Sequence, residues 1–128
     1  MTNNNPFRPG RPKVVQDTKD LPDEPGEYRL IDPDPGLIKQ AICFAQGKDP
    51  NVDHLGIAGN LHERVNGGHE KLEDHHEVHF QVAEGEKNEE LWEDMKAHER
   101  DKLQQIQPNN ADANRGGAGR PPDWAKGD

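Results

Sequence analysis

EVHFQVAEGEKNEELWEDMKAHERDKLQQI, residues 77–106, decides the fold class. Val78, Phe80 and Val82 alternate with Glu77, His79 and Gln81, the period-two pattern of a strand with one buried face. The turn residues EGEKN end that strand, and from about Asn88 the apolar spacing changes to threes and fours. Leu91, Met95, Leu103 and Ile106, with Trp92 beside them, form the stripe of a helix running to Ile106. The acids from Glu84 to Asp94 crowd the helix start, where aligned peptide dipoles favour negative charge. Counting in fours from Leu91 passes Met95 and meets Glu99, a carboxylate where an apolar residue is due. Burying an unpartnered carboxylate is costly. Glu99 is therefore expected to face a cation, a metal or a cleft, unless it lies at the edge of the stripe and reaches water.

Upstream of residue 77, Gly26–Ile31 (GEYRLI) alternates weakly between Pro25 and the turn-rich DPDPG, and reads as a strand. Residues 38–44 (IKQAICF) are the most apolar stretch and fit a strand or a short helix. Residues 52–58 (VDHLGIA) are short and interrupted by glycine, and Asn60 is placed to cap a short helix, NLHERV, before Asn66-Gly67-Gly68. These elements give one small α+β domain. Residues 1–21 and 122–128, rich in Pro and Gly, read as flexible tails around a domain at 22–121.

Composition limits the function. The 128 residues carry 16 Lys+Arg against 25 Asp+Glu, a net charge of -9, with a mean hydropathy of -1.21. Twelve acids and four bases lie between Glu70 and Asp101, which excludes a basic clamp for nucleic acid. No run of 18 apolar residues spans a membrane, and the N-terminus has no apolar signal segment, so a cytoplasmic site of action is expected. Cys43 is the single cysteine, read as a buried inert thiol, and there is no serine, so nothing supports a nucleophilic triad. His75, His76 and His79, beside Asp74, suggest zinc, but an H-x-x-H pair on a strand points to opposite faces. They read as surface histidines.

Three segments then stand in order: Pro25-Gly26-Glu27-Tyr28-Arg29-Leu30-Ile31-Asp32; His54-Leu55-Gly56-Ile57-Ala58-Gly59-Asn60-Leu61-His62-Glu63-Arg64; and His98–Leu103 followed by Ile106, Pro108, Asn109, Asn110 and Arg115–Arg120. Together they resemble the GIY-YIG nuclease superfamily, most closely its small bacterial toxin-like members. The resemblance implies a small three-stranded, mainly antiparallel sheet flanked by helices, with the site on the sheet beside the Glu99 helix. It implies a metal-dependent endonuclease cleaving DNA phosphodiesters, in the setting of the toxic module of a bacterial effector, with an immunity protein or a larger delivery protein as partners. By the same resemblance Glu99 holds Mg²⁺ or Mn²⁺, Arg64 holds a phosphate oxygen, and Tyr28 orients or deprotonates the water. His54 stands where the family has a second tyrosine. His69 is a proton carrier or phosphate contact, and Asn110, with Asn109 and Asn114 as alternatives, orients the site. Twenty-five residues lie between Tyr28 and His54, well beyond the family's spacing, and Glu27 replaces an apolar residue. A second expectation, from another class, is a degenerate nuclease fold serving as a protein-interaction module through its acidic helix. An acidic protein mimicking the charge of DNA is the third.

Overall fold

The computed structural model describes residues 6–7, 11–67, 76–109 and 122–125. Four strands, β1 (Lys13–Val15), β2 (Gly26–Ile31), β3 (Val52–Ala58) and β4 (Glu77–Val82), alternate with three helices, α1 (Gly36–Gln46), α2 (Leu61–Asn66) and α3 (Glu89–Ile106). The strands form one antiparallel sheet in the order β1-β4-β2-β3. The expected α+β class is what the structure has, with one strand more than the three expected. The fourth is Lys13–Val15, inside the segment read as a tail. It pairs with β4 (Lys13 opposite Phe80), and a bridge between Phe7 and Ala83 continues the ladder. Three residues are too few to show a period in the sequence, yet they cover an edge of β4 that would otherwise present bare N–H and C=O groups.

Alternation along the strands builds two different cores, one on each face of the sheet. Tyr28 and Leu30 join Val78, Phe80 and Val82 of β4 and pack under Leu61 and Val65 of α2, with Leu21 closing the cluster. On the other face, Ile57 meets Leu91, Trp92 and Met95 of α3, together with Phe7, Ala83 and Ala125. Ala125 belongs to a 3-10 turn, Asp123–Ala125, whose Trp124 stands edge-on to Trp92 with ring centroids 6.2 Å apart. The described part of the C-terminal segment, read as a tail, is thus packed on α3. Because both faces are covered, Leu55–Ala58 of β3 are all buried, and the strand shows no polar alternation.

The helix boundaries follow from capping. The Asn88 side chain accepts from the Leu91 N–H at 2.9 Å, and the Asn60 side chain accepts from the Glu63 N–H at 3.0 Å. The ambiguous stretch 38–44 is helical, in α1, which stops at Gly47 in the left-handed region (φ 70), where the Gly47 N–H donates back to the carbonyls of Cys43 and Phe44. This 11-residue helix lies in the middle of the interval between Tyr28 and His54. After α3 the chain runs along the start of β3: the Asp49 N–H donates to the Gln107 carbonyl, and the Asn109 N–H to that of Val52, both at 2.9 Å.

Candidate active site

Two glycines set the site. A Cβ on Gly56 would stand 2.8 Å from the Tyr28 hydroxyl and 2.9 Å from its Cζ, so the tyrosine ring lies directly over that residue of β3. Tyr28 and Gly56 are also register partners. A Cβ on Gly26 would come within 2.2 Å of the Gln81 carbonyl oxygen and 2.8 Å of Leu61 Cδ1, so β2 can approach β4 and α2 only with glycine there. Spread across Gly56, the Tyr28 side chain carries its hydroxyl to within 3.5 Å of His54 Nε2. The two rings are tilted by 42° at a centroid separation of 5.8 Å. Arg64, exposed on α2, acts on the phenol through its positive charge. Burial pushes that phenol up to about 12; the Arg64 charge opposes the rise and the Glu99 carboxylate adds to it.

Glu99 arrives from the third turn of α3 and is 7% exposed. The reading in which it reaches water at the edge of the stripe therefore does not hold. The Ile57 backbone on β3, the edge strand of the sheet, favours the ionised form of its carboxylate. Burial first, and the neighbouring Glu27 carboxylate second, push Glu99 up to about 7, against the opposing effect of the Ile57 backbone. Glu27 projects from the face of β2 opposite Tyr28 and is 1% exposed. One of its oxygens is 3.2 Å from Arg29 Nη2, and the other lies 3.6 Å from His98 Nε2, too far for a hydrogen bond. Burial raises Glu27, with Arg29 and Lys102 opposing, and burial lowers His98, aided by Lys102 and Arg29.

Of the residues selected from sequence, the structure puts Tyr28 beside His54, with the charges of Arg64 and Glu99 acting on the phenol, Glu99 from the side of the sheet where it neighbours Glu27. His69, Asn110, Asn114 and the Arg115–Arg120 segment lie outside the described residues. Asn109, the described alternative to Asn110, is engaged elsewhere: its side-chain amide donates to Asp53 Oδ1 at 2.7 Å and to the carbonyls of Asp49 and Val52. That bond belongs to a second polar cluster which sequence reading missed. Lys39 of α1 lies 2.8 Å from Asp32 and 2.7 Å from Asp53, and His76 Nε2 lies 2.6 Å from the other Asp53 oxygen. Burial acts to raise Asp53, but the hydrogen bonds from Lys39, His76 and Asn109 outweigh it and hold the group below the usual carboxylate range. His76, read as a surface histidine, is 7% exposed. No spacing rule joins Asp53 to His76 or Asn109; Glu27 did leave a signal, a charge inside a strand next to a glycine.

Among the described residues no group of three or more His, Cys, Asp or Glu converges as a metal cage. Glu99 is a buried carboxylate neighboured by a second, Glu27, and such a group suits a hard cation that keeps most of its water and takes few protein oxygens. The fold and the site together define an α+β chain with a phenol and an imidazole in contact on its sheet, a guanidinium of α2 whose charge acts on that phenol, and a pair of neighbouring buried carboxylates, Glu27 and Glu99. Compared with protein-family models, with curated proteins and with solved structures, the chain matches none. Among the described residues no helix is long and apolar enough to cross a membrane.

Proposed function

We propose that the chain is a metal-dependent endonuclease of the GIY-YIG type that hydrolyses DNA phosphodiester bonds. The carrying observation is the contact of Tyr28 with His54 where the tyrosine ring lies over Gly56, with the charges of Arg64 and Glu99 acting on that phenol. Each side chain has a task suited to its chemistry. The Arg64 guanidinium binds a phosphate oxygen through its planar fork of donors, and it is exposed enough to meet a polymer. Tyr28, with its phenol pushed up to about 12, keeps its proton near neutrality, so it positions the attacking water by hydrogen bonding. His54, 3.5 Å from that phenol, takes the water's proton, since imidazoles exchange protons near neutral pH. Glu99 would hold a divalent cation, and Mg²⁺ or Mn²⁺ bound there would supply positive charge to offset that building on the phosphoryl oxygens. The Glu99 carboxyl, pushed up to about 7 by burial, would have to give up its proton to serve as that ligand.

Cleavage of supercoiled plasmid, with Mg²⁺, Mn²⁺ or EDTA in parallel, tests the reading on wild type, Glu99→Gln and His54→Ala. Metal-dependent nicking that both variants lose supports it; no nicking by the folded wild type with either metal overturns it. The second reading, an interaction module, is favoured by a separate observation: Glu84, Glu86, Glu89, Glu90 and Glu93 are exposed together at the start of α3. Binding of a basic partner that survives Glu99→Gln but is lost when those acids become amides would support that module.

A further inference from the structure

α1 is attached to the domain through its polar side and turns its apolar side outward. Lys39 bridges Asp32 and Asp53, and Cys43, one turn later, is the helix's buried residue. By contrast Leu37 is 84% exposed, Ile38 79%, Ile42 53% and Phe44 88%. At about 100° per residue these four, with exposed Ala41 and Ala45 between them, occupy one continuous arc of the helix, and Lys39 and Cys43 lie on the opposite side. Contiguous exposed apolar patches of several hundred Å² mark interaction sites on soluble proteins.

We propose that this arc is an interface with a second copy of the chain, α1 packing on α1 about a two-fold axis. The first argument is area. Large side chains present roughly 150–200 Å² each, so the arc offers on the order of 600 Å² per copy and a pair buries on the order of 1,200 Å², the lower bound for a specific interface. The second is charge. The arc has no ionised group, and the single cation of α1 is neutralised on the inner side by two carboxylates. Two copies related by a two-fold axis therefore meet without opposing like charges, although the whole chain carries -9. That net charge disfavours an anionic lipid surface or a nucleic-acid backbone, and the arc has no cation to receive either. Ala41 and Ala45 lie near the middle of the arc, flanked on one side by Leu37 and Phe44 and on the other by Ile38 and Ile42, so the backbones can approach while the larger side chains interdigitate. The inference is independent of the cleavage reading.

Sedimentation velocity on the full chain, from about 1 to 100 µM, tests the proposal. Wild type should rise with concentration to a plateau at twice the 14.4 kDa chain mass. Ile38→Glu with Phe44→Glu sets like charges across the axis at exposed positions, and should weaken the dimer at least a hundredfold with the circular dichroism spectrum unchanged. In a Cys43→Ala background, Ala41→Cys should give cross-linked dimers with a short bis-maleimide, whereas Glu86→Cys should not. A wild type that stays monomeric throughout the range, a dimer that survives the double variant, or masses that grow without a plateau would each overturn the proposal.

Discussion

Glu99 retains its proton up to about pH 7 in the folded chain, whereas its ordinary value is 4.5. Between those values the folded state binds the extra proton, so the stability that depends on a neutral Glu99 is complete below pH 4.5 and is lost as the pH rises through 7. Glu99→Gln keeps a neutral side chain of the same shape. Urea unfolding should find the variant equal to wild type at pH 5 and more stable at pH 8 by on the order of 2 kcal/mol. A gap that does not change with pH would show that Glu99 is ionised in the folded chain throughout. Mg²⁺ should narrow the gap at pH 8 by stabilising the wild type alone. Gly56→Ala is the complementary test, because its Cβ would press within 2.8 Å of the Tyr28 hydroxyl. The ring must shift, and nicking should fall about a hundredfold for a stability loss of about 1–3 kcal/mol; unchanged nicking would remove Tyr28 from the site. At this scale Glu99 was legible because a helical stripe counts every position, and a carboxylate on it stands out. The Asp53–His76 contact was not legible, since the residues that make it are brought together only by the sheet.

The elements were read with little error where a cap or an alternation marked them, as at Asn88, Asn60 and Val78–Val82. α1 remained ambiguous for a physical reason: its apolar arc faces outward, so its periodicity says nothing of where the domain lies. What orients it is Lys39. Lys39→Met leaves Asp32 and Asp53 facing one another without their shared cation, and should cost about 1–2 kcal/mol at pH 7 by urea unfolding. The loss should depend on pH. Both carboxyls are held below their ordinary 3.8, so the stability they contribute is present above that value and lost as the pH falls through their folded values. The difference between wild type and Lys39→Met should therefore shrink below about pH 4. A difference as large at pH 3 as at pH 7 would mean that Lys39 acts through packing of its stem and not through charge.

For the whole molecule, the net charge of -9 was plain in the sequence, but its distance from the site was not, because that depends on which turn of α3 carries which acid. Glu89 and Glu90 begin the helix, and Glu99 stands ten residues further on, about 15 Å along the axis at 1.5 Å per residue. The Debye length is about 8 Å at 0.15 M salt and about 30 Å at 0.01 M. Physiological salt thus hides the acidic start of α3 from a phosphate arriving beside Glu99, whereas dilute buffer does not. A basic nuclease binds DNA more tightly as salt is removed. This chain should do the reverse, with initial nicking rates several-fold lower at 0.01 M than at 0.15 M NaCl at fixed Mg²⁺. Changing Glu89, Glu90 and Glu93 to Gln should recover most of that loss through kcat/KM, with kcat unaltered, because these exposed acids act on encounter and touch no reacting atom. Nicking that instead rises steeply as salt is withdrawn would mean that the strand meets cations on a face the acidic helix does not reach. The same three substitutions should abolish partner binding if the acidic helix is a docking surface, so one set of variants separates the enzyme from the interaction module by the direction of its effect.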